Sequence, residues 1–183
     1  VMGFHHLQDW MIQQSRPFRL SGMAGLACVL IFLFAFNAAY MKKYFQIYQP
    51  IDYLLQKESR DQYIARHDGS YPAVKFINEH TPENAEIRIV LLSGRGYYLE
   101  RSYRSAEVHF VRQLVSASES TESFQKFLKS LNCTHLLIRH DLFEQFVASN
   151  YTPSQADQLF EMIEENMKML FRDRSCAVFQ LVL

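Results

Sequence analysis

The stretch EIRIVLLSGRG, residues 86–96, decides the fold of this chain. Its first part ends in a continuous apolar run over residues 89–92, which is typical of a strand that is buried on both faces of a sheet. A short predicted loop, Ser93-Gly94-Arg95-Gly96, follows this apolar run immediately. We therefore predict a buried strand over residues 86–92 that belongs to an α/β domain.

Helix and strand patterns alternate around this strand. They predict helices over residues 71–80, 121–131, 141–148 and 153–166, a second buried strand over 134–139, and a terminal β-hairpin over 168–172 and 177–183. Residues 106–111 alternate in hydropathy, which predicts a short edge strand. Alternating helices and strands imply parallel strands with helical crossovers, and the hairpin adds an antiparallel edge. The predicted fold is a small α/β sandwich with a mixed sheet.

A membrane span is predicted upstream of this domain. Residues 20–40, LSGMAGLACVLIFLFAFNAAY, hold no ionisable side chain of Asp, Glu, Lys, Arg or His. As a helix this stretch rises about 31 Å, which matches a hydrocarbon core of about 30 Å. A buried core helix seldom runs this long without a charge, and a signal peptide has a shorter apolar region that starts nearer the N-terminus.

The flanks of the span agree with membrane insertion but leave its orientation open. Basic residues lie on both sides, Arg16 and Arg19 before the span and Lys42 and Lys43 after it, so the positive-inside rule gives a tie. Aromatic side chains suited to the headgroup layer are Trp10, Phe18, Tyr40, Tyr44 and Tyr48.

The predicted organisation has four parts. Residues 1–19 form a loop before the span, residues 20–40 the transmembrane helix, residues 41–70 a helical connector, and residues 71–183 the α/β domain. The connector is interrupted at Pro50, and its apolar residues Leu54, Leu55 and Ile64 either pack against the domain or lie along the membrane surface.

Composition excludes several classes of protein. The chain has 19 Lys and Arg against 19 Asp and Glu, so it lacks the basic excess of a nucleic-acid-binding protein. With 49% apolar and 14% aromatic residues it is too hydrophobic for a disordered chain. Its cysteines, Cys28, Cys133 and Cys176, have no CxxC spacing, which excludes a zinc ribbon. Cys133 and Cys176 either pair in an oxidising compartment or are buried as free thiols.

The candidate ligand site lies where the two buried strands end. If these strands are neighbours, the loop Ser93-Gly94-Arg95-Gly96 meets Arg139, His140 and Asp141 at one edge of the sheet. Two arginines beside free backbone N–H groups of a glycine turn can hold a phosphate or a carboxylate. The alternative is structural: the glycines shape the turn, and the charges are solvated or paired with one another.

No motif in the chain predicts a catalytic, metal or cofactor site. The histidines have no HExxH or other paired ligand spacing, and neither a G-x-S-x-G elbow nor a P-loop occurs.

Several segments together resemble a known family. They are YPAVKFINEHTP at 71–82, IVLLSGRGYYLER at 89–101, THLLI at 134–138, LFRD at 170–173 and AVFQL at 177–181. Their order resembles the C-terminal soluble domain of large polytopic membrane glycosyltransferases of the GT-C type. These are the bacterial relatives of protein mannosyltransferases and of lipid A aminoarabinose transferase. The resemblance covers about residues 60–183, and the predicted span stands in the place of the last transmembrane helix.

The resemblance implies an enzyme that takes a sugar from a polyprenyl-phosphate donor and transfers it to an acceptor outside the cytoplasm. The catalytic carboxylates of this family lie in the first extracytoplasmic loops, which are not in this chain, so no catalytic residue is carried over. The implied setting is the bacterial inner membrane, with Arg16 and Arg19 on the cytoplasmic side and the α/β domain extracytoplasmic.

The implied role of the α/β domain is non-catalytic: it covers the membrane-embedded active site or shapes acceptor binding. Its partners would be the lipid bilayer, the remaining transmembrane helices of the parent protein and the polyprenyl-phosphate-linked sugar, with no nucleic acid and no cofactor. The chain begins with Val1 rather than methionine, which agrees with a fragment of a longer protein. The alternative is a single-span membrane protein whose extracytoplasmic domain binds a partner or an anionic small ligand.

Overall fold

The computed structural model describes residues 16–182, with side chains from residue 20 onward. The predicted loop over residues 1–19, including Trp10, and the side chains of Arg16, Phe18 and Arg19 lie outside the described residues.

The described chain begins with one long helix, α1 (Arg16–Tyr48). Within it, Leu20–Tyr48 is long and apolar enough to cross a membrane, and its most apolar 18 residues have a mean hydropathy of 2.1. The amide of Asn37 donates from Nδ2 to the carbonyl of Leu33 at 2.8 Å, so this polar group is satisfied within its own helix. A side chain that bonds its own backbone in this way is tolerated in an apolar surrounding.

The end of α1 is set by Gln49, whose φ of 42° is left-handed and cannot continue a right-handed helix. A short helix, α2 (Pro50–Leu54), follows and starts on proline, which is tolerated in the first helical turn. The apolar side chains of Ile51, Leu54 and Leu55 are exposed. One compact unit of the chain ends at Ser59, and a second begins at Arg60.

The second unit consists of alternating helices and strands. Its elements are α3 (Arg60–His67), α4 (Tyr71–His80), β1 (Glu86–Val90), β2 (Ser102–Ala106), α5 (Val108–Ala117), α6 (Thr121–Ser130), β3 (His135–Ile138), α7 (His140–Asn150), α8 (Pro153–Asn166), β4 (Met167–Arg172) and β5 (Ala177–Leu181). Polar caps fix the starts of two helices: Ser120 accepts from the N–H of Ser123 before α6, and Thr152 forms a capping box with Gln155 before α8.

The five strands form one mixed sheet in the order β2-β1-β3-β5-β4. β1 pairs in parallel with both β2 and β3, while β5 pairs antiparallel with β3 and with β4. The prediction of an α/β domain with a mixed sheet and a C-terminal hairpin is thus confirmed.

Successive residues of the central strands bury their side chains on opposite faces of this sheet. On one face Ile87, Ile89 and Leu137 pack with α4; on the other, Leu136 and Ile138 pack with α5, α6, α7 and α8. Both sides of the central strands are therefore covered, which explains their continuous apolar sequence.

The two cysteines of the domain belong to different faces. Cys133 packs against the cluster under α5–α8, whereas Cys176 is buried in the cluster under α4. Both are free thiols. The sequence leaves open whether Cys133 and Cys176 form a disulfide or remain thiols, and in the structure they remain thiols.

The prediction of an edge strand over residues 106–111 is wrong. The edge strand β2 ends at Ala106, and helix α5 begins at Val108. The apolar residues Phe110, Val111, Leu114 and Val115 recur at helical spacing and are buried on one face of α5. The alternation over 106–111 spans too few residues to distinguish a strand from the start of this helix.

Candidate functional site

The carboxyl ends of β1 and β3 lie side by side at one edge of the sheet. The two strands pair in parallel, with Val90 opposite Ile138, and the N–H of Arg139 donates to the carbonyl of Val90 at 3.1 Å. The loop after β1 and the start of α7 therefore leave the sheet together, as the sequence predicts if these strands are neighbours.

The glycines of the first loop have structural reasons to be there. Gly94 has a φ of 74° with open space around it, so its role is to allow a left-handed backbone. At Gly96 a Cβ would lie 2.5 Å from Cζ of Tyr103, so any larger residue would have to displace this ring. The N–H groups of Arg95 and Gly96 donate to carbonyls of the same loop, those of Leu92 and Gly94, at 3.1 and 2.8 Å. These two donors are therefore not free for an anion, contrary to the expectation.

Two of the predicted side chains, Arg95 and Arg139, line a common cavity of about 70 Å³. The remaining lining residues are Gly69, Ser70, Leu92, Ser175 and Cys176. Arg95 is exposed, and its guanidinium makes no hydrogen bond or ion pair within residues 20–182. It is an unpaired positive charge in the lining of this cavity, which we call the arginine cavity.

Arg139 is paired with Asp141 instead of being free. Its Nε lies 3.1 Å from Oδ1 of Asp141, and Nη2 lies 3.3 Å from Oδ2. The hydrogen bond to Asp141 raises the pKa of the Arg139 guanidinium. Burial alone would raise the pKa of Asp141, but the hydrogen bonds from Arg139 and from the N–H of Leu142 lower it overall. Both groups are thus charged at neutral pH. For Arg139 and Asp141 the structure agrees with the structural alternative, in which the charges pair with one another.

His140 does not join the arginine cavity. It lines a separate apolar groove that also includes Phe143, Phe160 and Met169. Its Nε2 donates to the carbonyl of Asp173 at 2.9 Å, which anchors α7 to the turn between β4 and β5. Ser93, Gly94 and Gly96 shape the loop without lining the arginine cavity.

The other side of the arginine cavity comes from two turns that sequence reasoning did not include in the site. Before α4, the buried carboxylate of Asp68 accepts from the N–H of Ser70 at 3.0 Å and from its hydroxyl at 2.6 Å. After β4, Ser175 and Cys176 lie at the same edge because β5 runs antiparallel to β3, with Ala177 opposite Ile138. The predicted hairpin, if its second strand pairs antiparallel with β3, places Ser175 and Cys176 at this edge of the sheet.

The thiol that lines the arginine cavity, that of Cys176, is not activated as a nucleophile. Burial raises the pKa of the Cys176 thiol to about 12, so it stays protonated at neutral pH. Within the described residues there is also no group of three or more His, Cys, Asp or Glu side chains that could hold a metal ion. The arrangement can bind one anionic group through Arg95.

Comparison of the whole chain with protein-family models, with curated proteins and with solved structures finds no match. The resemblance to GT-C glycosyltransferases therefore rests on the sequence pattern described above.

Proposed function

We propose that this chain is the C-terminal part of a polytopic membrane glycosyltransferase that uses a polyprenyl-phosphate-linked sugar as donor. In this proposal α1 is the last transmembrane helix, in the bacterial inner membrane. The unit that begins at Arg60 is a non-catalytic extracytoplasmic domain that covers the active site or shapes acceptor binding.

The observation that carries the proposal is the order of the elements. An apolar helix long enough to cross a membrane stands upstream of a small α/β domain with a mixed sheet. This is the order of the family that the sequence resembles.

The carboxylates around the arginine cavity support a non-catalytic role. Asp141 is held by Arg139 and by the N–H of Leu142, and Asp68 is buried and hydrogen-bonded to Ser70. General acid–base chemistry needs a carboxylate that is exposed to substrate and has a pKa near neutrality. Asp141 has the opposite shift, and the role proposed for the domain needs no such group.

The upstream reading frame tests the proposal. We expect several further apolar spans before residue 1 and an acidic pair in the first large loop outside the cytoplasm. A start codon immediately before Val1, giving a protein with a single span, would contradict it.

A second candidate function is favoured by the arginine cavity itself. A single-span protein would use Arg95, which lines the cavity beside the paired Arg139, to bind an anionic small ligand. The cavity, about 70 Å³, accepts one phosphate or carboxylate group and is well below the roughly 300 Å³ at which small-molecule pockets begin. The same reading frame separates the two candidates, because only the second is compatible with a single span.

A further inference from the structure

A second cleft opens in the α/β domain, away from the residues of the arginine cavity. It has a volume of about 400 Å³ and lies between α3, α4 and the loop that joins β1 to β2. This volume falls within the range of about 300–1,000 Å³ that is usual for small-molecule sites. We call it the tyrosine cleft, after Tyr71, Tyr97 and Tyr98 in its lining.

An exposed aromatic ring stands in this cleft. Tyr97 is 69% exposed, which is unusual for a large aromatic side chain on a folded domain. Its ring centroid lies 4.3 Å from that of Tyr98, and Tyr98 in turn packs edge-on against Tyr71 at 5.2 Å. Tyr98 thus supports the ring of Tyr97, and Tyr71 supports Tyr98 in turn, while Tyr97 stays open to solvent.

The loop that carries these tyrosines is fixed to α4. Asn78 donates from Nδ2 to the carbonyl of Tyr98 at 2.9 Å, and its Oδ1 accepts from the N–H of Glu100 at 2.9 Å. Arg101 adds a hydrogen bond from Nη2 to the carbonyl of Asn78 at 2.8 Å. Because these hydrogen bonds hold the loop against α4, a ligand would not need to order it, which lowers the entropic cost of binding.

The part of the cleft that α3 and α4 line is polar, and its side chains hydrogen-bond to one another. The carboxylate of Asp61 accepts hydrogen bonds from the hydroxyl of Tyr71 at 2.9 Å and from Nζ of Lys75. The hydrogen bond from Lys75 is the main cause that lowers the pKa of Asp61, so this group is an ionised acceptor at neutral pH.

The charges of the lining nearly cancel. Two cations, Arg60 and Lys75, face three carboxylates, those of Asp61, Glu79 and Glu100. A near-balanced wall gives neither an anion nor a cation a large electrostatic gain. It does offer many hydrogen-bond donors and acceptors to a neutral ligand.

We infer that the tyrosine cleft binds a neutral saccharide. A sugar ring combines an apolar C–H face with a rim of hydroxyl groups. Tyr97 stacks on that face, while Asp61 and Lys75 exchange hydrogen bonds with the hydroxyls. The inference does not rest on the proposed transferase function, since it requires no reaction and concerns other residues than the arginine cavity.

A glycan array tests the inference on the full chain in detergent. The array carries neutral and acidic oligosaccharides, and the neutral glycan that gives the strongest signal is then titrated against wild type, Tyr97→Phe and Tyr97→Ala. We expect Tyr97→Ala to lower the affinity about tenfold, because it removes the stacking ring. Tyr97→Phe keeps the ring and should stay within about twofold of wild type.

The outcomes are distinguishable. Tyr97 is exposed, so both variants should fold, and matching circular dichroism spectra check this. Three results would each overturn the inference: no neutral glycan binds, only acidic glycans bind, or Tyr97→Ala binds as tightly as wild type.

Discussion

Arg139 holds Asp141 through two parallel hydrogen bonds, Nε to Oδ1 at 3.1 Å and Nη2 to Oδ2 at 3.3 Å. Such a bidentate pair is the preferred geometry between a guanidinium and a carboxylate. Arg95, on the same arginine cavity, makes no hydrogen bond or ion pair within residues 20–182. The two arginines therefore differ in what they offer to a ligand: Arg95 is available, and Arg139 is already engaged.

Replacing Arg95 should weaken anion binding with little effect on folding. We expect Arg95→Ala to lower the affinity for inorganic phosphate about tenfold, because a charge-assisted hydrogen bond is lost. Isothermal titration of the full chain in detergent measures this. Arg104→Ala is the matched control, since Arg104 is exposed on β2 and does not line the cavity. Equal phosphate affinities of Arg95→Ala and wild type, or no binding by wild type, would rule out the anion site.

The pair of Arg139 and Asp141 should give a small, pH-dependent stabilisation. The pKa of Asp141 is lowered in the folded protein, so the stabilisation is complete above the unfolded value of about 3.9 and is lost as the pH falls through the folded value. Both side chains are more than one third exposed, at 35% and 39%, so we expect less than about 1 kcal/mol.

Thermal unfolding between pH 7 and pH 2.5 measures this contribution. Other carboxylates titrate in the same range, so the informative quantity is the difference between wild type and Asp141→Asn. Wild type should be the more stable at pH 7, and the gap should close at the acidic end. A gap that is the same at every pH would show that the ion pair contributes nothing.

Alanine at position 96 should destabilise the domain through the ring of Tyr103. A Cβ there would lie 2.5 Å from Cζ of Tyr103 and 3.0 Å from Cδ1 of Ile89. Because Tyr103 is 39% exposed, its ring can move outward, so we expect a cost of about 1–2 kcal/mol in the free energy of unfolding.

A double-mutant cycle identifies the cause. In a Tyr103→Ala background the Gly96→Ala change should cost clearly less, because the clashing ring is gone. Circular dichroism melting of the four proteins measures the coupling. Strictly additive effects would mean that Gly96 is needed for another reason.

The cysteines of the domain should remain thiols under oxidation. Burial raises the pKa of both Cys133 and Cys176, and the two lie in clusters on opposite faces of the sheet. In a Cys28→Ser background, we expect no disulfide after treatment with copper phenanthroline and little maleimide labelling of Cys176 before unfolding. Detection of a peptide crosslinked through Cys133 and Cys176 by mass spectrometry would contradict this arrangement.

Sequence patterns predict the elements whose signal is local. The buried apolar run over residues 89–92 marks β1 directly. The sequence does not predict the edge strand β2, because four of its five residues, from Ser102 to Ser105, are exposed and show no apolar pattern. The pattern over residues 106–111 predicts a strand where α5 begins, because the first residues of this helix alternate in hydropathy by chance.

The candidate site is predictable only in part, because its geometry depends on contacts between distant segments. The meeting of Arg95 with Arg139 follows from the parallel pairing of β1 and β3. Arg139 pairs with Asp141, and His140 lines a different groove. Both placements depend on the backbone geometry at the start of α7, which the hydropathy pattern of the sequence does not predict. The tyrosine cleft unites α3, α4 and a loop from separate parts of the chain, so spacing alone does not reveal it.

The most direct test of the central claim is a transfer assay with membranes that contain the product of the complete reading frame. Polyprenyl-phosphate donors carrying radiolabelled sugars are supplied, and the label in acceptor is counted. We expect transfer by the complete protein and none by residues 1–183 alone, because the proposal places the catalytic groups upstream. Absence of transfer by the complete protein with every donor, or transfer by residues 1–183 alone, would contradict the account.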